Sequence, residues 1–263
     1  MSNTLMTVLG IGFIFIMTAA GSAVVYFFKK DVSEKANTLF MGFASGIMIA
    51  ASVWSLLVPA IEEAASAGYG KWSFAPAAVG FILGGLFLVV IDKIVPHIHR
   101  AGLEEGPPSR MTKSAKMFLA VMIHNIPEGL SVGFAFGVAA ANGDTSSFVS
   151  ALGLALGIGI QNFPEGAAVA LPIKSVTGSG NKAFIYGAAS GAVEPLFAVA
   201  GYFLAAHISA LQPWLLAFGA GAMIFVVAED LIPDAKLAEH PHLGTWGVMA
   251  GFVIMMILDV ALG

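Results

Sequence analysis

The chain contains no cysteine. Disulfides, thiolate metal sites, iron–sulfur clusters and cysteine nucleophiles are therefore excluded, and any metal must be held by nitrogen and oxygen atoms or by a methionine thioether. Charge is also scarce: 11% of residues are Asp, Glu, Lys or Arg, against roughly 25% in soluble domains. That shortage excludes an ordinary water-soluble protein. The 12 Lys and Arg are scattered and the formal charge is −4, so the chain has no basic face for nucleic acid and no acidic tail. What it has in abundance is apolar surface, 58% of 263 residues, with a mean hydropathy of +0.88. At about 20 apolar residues per bilayer crossing, that length allows about eight spans with little left for loops.

The spans can be read directly. The first runs without charge from Thr4 to Phe28 and ends at Lys29 and Lys30, longer than a secretory signal and charged on the far side, so it reads as a retained helix. Others follow at about Leu39 to Ile61, Ser73 to Ile91, Ser114 to Ala140, Phe148 to Leu171, Ala183 to Ala206, Pro213 to Ala228 and Leu243 to Leu262. The expected fold is all-α, one polytopic domain over residues 1–263 with eight transmembrane helices. Its connections are short and polar, Glu62 to Trp72 among them, with one longer cytoplasmic loop at about 93–113. With the N-terminus outside, eleven of the twelve basic residues fall on the inner side and only Lys71 outside. Both termini are thus expected outside. Glycines four apart (Gly80 and Gly84, Gly153 and Gly157, Gly187 and Gly191, Gly247 and Gly251) read as helix-packing positions.

Polar groups inside the apolar spans carry the chemistry. The fourth span contains His124-Asn125-Ile126-Pro127-Glu128-Gly129 and the fifth contains Gln161-Asn162-Phe163-Pro164-Glu165-Gly166, one motif written twice. His124 and Glu128 share a helix face, as do Gln161 and Glu165, so each pair can converge on one ion. The sixth span adds Glu194-Pro195. Each proline frees the carbonyl four residues earlier, at Ile123, Ile160 and Gly191, and kinks the helix beside a carboxylate. A carboxylate near the bilayer centre costs on the order of 2.5–3.5 kcal/mol, and apart from Lys116 at the start of the fourth span no Lys or Arg stands inside those spans to neutralise three of them. Protons or a divalent cation must do so. Imidazole with carboxylates and amide oxygens suits Zn, Fe(II), Mn, Co or Ni better than Ca or Mg. Asn125 and Asn162 fit equally as ligands or as helix–helix hydrogen-bonders.

Two weaker patterns accompany this one. Ser45, Met48, Ser52, Ser55, Pro59 and Glu62 form a small and polar stripe along the second span, either the lining of a path or a close-packing face. Met48 becomes a ligand candidate only if that stripe faces the carboxylates. At the inner end, Asp92, His97, His99, Glu229, Asp230, Asp234, His240 and His242 fall at or beyond helix termini, either as solvated loop polarity or as an exit or sensing site.

At these residues the sequence resembles the ZIP (Zrt-/Irt-like protein) family of metal-ion transporters, particularly its bacterial GufA-like branch. The resemblance rests on the two Pro-Glu-Gly hexapeptides, on Ala189-Ser-Gly-Ala-Val-Glu-Pro195, on Gly219-Ala-Gly-Ala-Met-Ile-Phe-Val-Val227 and on Phe43-Ala-Ser-Gly-Ile-Met48. It implies eight spans with both termini outside and a binuclear metal site. One metal would be held by His124, Glu128, Gln161 and Glu165 with Met48, and a second by Asn125, Asn162 and Glu194, bridged by Glu128 and Glu165. The branch has Asp at the position of Asn162, so the second site would here carry one charge fewer. The resemblance further implies metal binding at His97, His99, Glu229 and Asp230, a homodimer, and an elevator-like movement of the motif helices.

The function expected is transport of a divalent transition metal, most simply zinc, with cadmium, Fe(II), Mn(II) or Co(II) as alternatives. The ion would move from outside or periplasm to cytoplasm across the inner (cytoplasmic) membrane, without a catalytic cofactor. The alternative is a proton-translocating or metal-sensing membrane protein using the same carboxylates. An enzyme is not expected: a metalloprotease needs His-Glu-x-x-His, and His124 is followed by Glu only four residues later with no second His.

Overall fold

In a computed structural model the described residues are 2–27, 33–98, 104–235 and 241–262. They contain eight helices long and apolar enough to cross a membrane. These are α1 (Asn3–Tyr26), α2 (Glu34–Trp72), α3 (Phe74–Ile94), α4 (Lys113–Asn142), α5 (Thr145–Thr177), α6 (Gly180–His207), α7 (Ser209–Leu231) and α8 (Pro241–Leu262). Local sequence sets their ends. Ser2, Ser33, Thr112, Asp144 and Ser179 each accept a backbone N–H at a helix start, which satisfies a donor that has no intrahelical partner. Gly143 and Gly178 close α4 and α5 in the left-handed conformation, at φ 76° and 67°, where glycine carries no Cβ penalty.

Three features depart from the expected helix map. α2 continues past Ile61 through the stretch expected as a polar connection, turning only at Gly68 with φ 91°. α6 is not continuous: it breaks at Ala192 between Gly191 and Val193, which puts Glu194 in the first turn of a new helical segment. The connection after α3 holds a two-stranded ribbon, β1 (His97–Ile98) against β2 (Glu104–Glu105), with His97 opposite Glu105. A prediction made on hydropathy alone sees none of these.

Two wide π-helical turns, Ser52–Leu57 in α2 and Val227–Leu231 at the end of α7, precede Pro59 and Pro233. Proline has no N–H for the carbonyl four residues earlier, Ser55 and Glu229 here, and the backbone relaxes into a wider turn. The turn re-aims the side chains around it, Asp230 included.

The helices pack most extensively in four pairs: α1 with α5, α2 with α8, α3 with α7 and α4 with α6. Glycine makes each approach possible. A Cβ at Gly21 would run into the Phe163 carbonyl, at Gly46 into the Val248 carbonyl, at Gly84 into the Phe218 carbonyl and at Gly129 into Glu194. With no hydrophobic force between helices in lipid, such backbone contact is a main source of association. Of the glycine pairs expected to pack, Gly80/Gly84 and Gly247/Gly251 meet neighbouring backbone, Gly187/Gly191 meet Ser22 and Thr18, and Gly153/Gly157 meet side chains of α8. Further packing of α4 on α5, α5 on α6 and α1 on α6 gathers α1, α4, α5 and α6 into one group, which meets the others through α4–α7, α2–α5 and α5–α8.

Candidate metal centre

The repeated motif falls on the facing helices α4 and α5, inside the membrane-spanning segments, and α6 delivers Glu194 beside it. Pro127 and Pro164 sit within continuous helix. Asn125, Glu128, Gln161, Asn162, Glu165 and Glu194 are all buried, and Glu128 lies within electrostatic range of both other carboxylates. The three acids are thus neighbours across α4, α5 and α6.

Their hydrogen bonds are specific. Gln161 donates from Nε2 to Glu128 Oε1 at 2.9 Å. Asn125 donates from Nδ2 to the Ser190 carbonyl at 3.1 Å. Asn162 donates from Nδ2 to the Ile14 carbonyl at 3.2 Å and to Glu194 Oε2 at 2.6 Å. Thr18 lies with its hydroxyl 3.1 Å from Glu194 Oε1. Helix α1 is therefore part of the centre, through Thr18 and Ile14, which sequence reasoning missed. Neither side chain is ionisable, and only the contact of Thr18 on Glu194 and of the Ile14 carbonyl on Asn162 marks them.

Four buried oxygens of this group have no hydrogen-bond donor: Asn125 Oδ1, Glu128 Oε2, Gln161 Oε1 and Asn162 Oδ1. A buried acceptor left without a partner costs on the order of 1–3 kcal/mol, and a cation satisfies acceptors as readily as an N–H does. Among the described residues no three His, Asp and Glu side chains are placed to hold a metal by themselves, so a metal at this point would need the amide oxygens as well. Carboxylate, amide and imidazole together suit a divalent transition metal.

His124 is placed on the same face as Glu128, and its Nε2 stands 2.9 Å from Asp230 Oδ2. Asp230 differs here from its expected place at a solvated helix end: the π-helical turn carries it inward, where it is buried. Its neighbour Glu229 is exposed. His97 is buried and its Nδ1 donates to the Val95 carbonyl at 2.8 Å, with Nε2 3.5 Å from Asp92. His99 and His240 lie outside the described residues. The structure therefore does not bring His97, Glu229 and Asp230 to one point.

The stripe on α2 divides. Ser45, Met48 and Ser52 are buried, and the two hydroxyls donate back to carbonyls of their own helix. Met48 lies on the helix that packs against α5. Farther along, Ser55, Pro59 and Glu62 line a cavity of about 540 Å³ with Glu63, Asn142 and Asp259, and Ser55 donates to Asp259 at 2.7 Å.

These features define a polytopic membrane protein with a polar, acidic centre built where α1, α4, α5 and α6 meet. Residues 104–259 match the family described as ZIP Zinc transporter. The chain is 37% identical to zinc transporter ZIP11 of Homo sapiens, covering 100% of this chain and 98% of that one. It is 37% identical to zinc transporter GufA of Myxococcus xanthus over 94% of this chain and 95% of its relative, and 36% identical to zinc transporter ZIPB of Bordetella bronchiseptica over 95% and 79%. The chain belongs to the ZIP family, whose members are transporters and not enzymes.

Proposed function

We propose that the protein carries zinc from the outside or periplasm to the cytoplasm through the centre at Glu128, Glu165, Gln161 and His124, with Met48 as a further ligand and Asn125, Asn162 and Glu194 beside it. The observation that carries this reading is the set of four buried oxygens with no donor, all on motif residues. A cation there neutralises carboxylates that lipid would otherwise penalise. Relatives named as zinc transporters support zinc as the substrate. The donor set also accommodates Cd(II), Fe(II), Mn(II) and Co(II).

The orientation of the path is read from the basic residues. The positive-inside pattern puts the termini and the Glu62 end of α2 outside, so the cavity lined by Ser55, Glu62 and Asp259 gives an approaching cation an acidic mouth. On the inner side, His124 in contact with Asp230 offers the ion a next stop, with Glu229, His97 and His99 as further groups toward the cytoplasm. The protein works in the inner membrane as a homodimer, and the grouping of α1, α4, α5 and α6 suits a unit that moves together. Reconstituted vesicles loaded with a metal-sensitive dye and challenged with Zn(II), Cd(II), Fe(II) and Mn(II) test this. Zinc uptake that saturates with concentration is expected; a dye that never responds to zinc refutes the reading.

A further inference from the structure

The orientation of the Asn162 amide is fixed by a neighbour that admits no choice. The Ile14 backbone carbonyl can only accept, and it stands 3.2 Å from Nδ2, so the nitrogen must face it. The same nitrogen is then the atom that faces Glu194, 2.6 Å from Oε2. The second oxygen of Glu194 is met by the Thr18 hydroxyl at 3.1 Å. A fully buried carboxylate thus has the Asn162 N–H on one oxygen and, on the other, the Thr18 hydroxyl, whose single hydrogen is shared with the Ile14 carbonyl 3.2 Å away.

That arrangement is poor for a cation. An ion between Asn162 and Glu194 needs an oxygen on each side at about 2.0–2.2 Å, and it finds an N–H aimed at the carboxylate instead. The amide oxygen, Asn162 Oδ1, which has no donor, is the arm turned away from Ile14 and Glu194 and is left for the ion at Glu128. Turning the amide over would set its oxygen against both the Ile14 carbonyl and Glu194 Oε2, all acceptors. Glu128 is different. One of its oxygens takes the Gln161 N–H and the other, Oε2, is buried with no donor.

We propose that the centre holds a single divalent ion at Glu128 and its neighbours, and that Asn162 and Thr18 close the Glu194 carboxylate against a second. Glu194 is then a positioning residue that ties α1, α5 and α6 together at the site. The inference rests on the metal-binding reading above.

The test counts zinc on the purified full-length protein in detergent, by equilibrium dialysis and elemental analysis, for the wild type, Glu194→Gln, Asn162→Asp and Asn162→Asp/Glu194→Gln. The wild type and Glu194→Gln should hold the same number of ions, Asn162→Asp one more, and the double variant should lose that extra ion. A Glu194→Gln protein that binds one ion fewer than the wild type overturns the proposal, as does an Asn162→Asp protein that gains none. Failure of the underlying reading looks different: Glu128→Ala would then leave the wild-type zinc count unchanged.

Discussion

His124 on α4 and Asp230 on α7 face each other across the junction of two helix groups, 2.9 Å apart from Nε2 to Oδ2. The contact depends on the wide turn before Pro233, which brings Asp230 inward. A carboxylate that holds a ligating imidazole sets its tautomer and direction, and its loss typically weakens metal binding about 10–100-fold. Asp230→Ala should therefore lower zinc affinity by that order, measured by calorimetry. Unchanged affinity would show that the pair does not serve the ion.

Thr18 offers a test of α1. Thr18→Val keeps the side-chain shape and removes the hydroxyl that meets Glu194. Leaving that buried oxygen without its donor should cost about 1–3 kcal/mol. Thermal unfolding in detergent should show the loss, and Thr18→Ser, which keeps the hydroxyl, should recover most of it. Equal stability of Thr18→Val and the wild type would show that the Thr18 hydroxyl does not serve Glu194.

Backbone contact between paired helices makes a second structural prediction. Gly84→Ala places a methyl group against the Phe218 carbonyl of α7, whereas Gly12→Ala on α1 meets nothing within 4 Å. The first should destabilise by about 1–3 kcal/mol, as overpacking does. The second should be neutral or slightly stabilising, because alanine is the better helix former. The two melting temperatures, compared side by side, check the pairing of α3 with α7.

Asp144 gives a pH dependence. It caps α5 between two spans, and hydrogen bonds from the Ser146 hydroxyl, then from the Ser147 hydroxyl and N–H, hold its carboxyl down from 3.8 to about 2. A group whose folded pKa is depressed stabilises above its unfolded value and loses that contribution as pH falls through the folded one. The stability difference between wild type and Asp144→Ala should be constant down to about pH 4 and shrink toward pH 2. Because the side chain is exposed, the difference is small. A gap that widens on acidification would contradict the assignment.

The eight spans were legible because hydropathy reports lipid exposure directly, and the motif on α4 and α5 because buried carboxylates beside proline are rare in lipid. Other features were not, for reasons that can be named. Thr18 is a neutral residue in an apolar helix, and its role exists only through a partner 176 positions away. The inward turn of Asp230 comes from a proline three residues later acting on backbone geometry, which residue spacing counted at 3.6 per turn does not anticipate. The extension of α2 to Trp72 joins an apolar span to a polar stretch that hydropathy separates. The break at Ala192 in α6 leaves the apolar content of that span unchanged, so composition could not reveal it.

The central claim is that Glu128 and Glu165 persist as buried carboxylates in the membrane because a divalent ion settles between them in transit. Zinc uptake into dye-loaded vesicles by the wild type, Glu165→Ala and His124→Ala tests it most directly. The account predicts saturable uptake by the wild type and near-complete loss in Glu165→Ala, with strong impairment in His124→Ala. Uptake by both variants at the wild-type rate would contradict it.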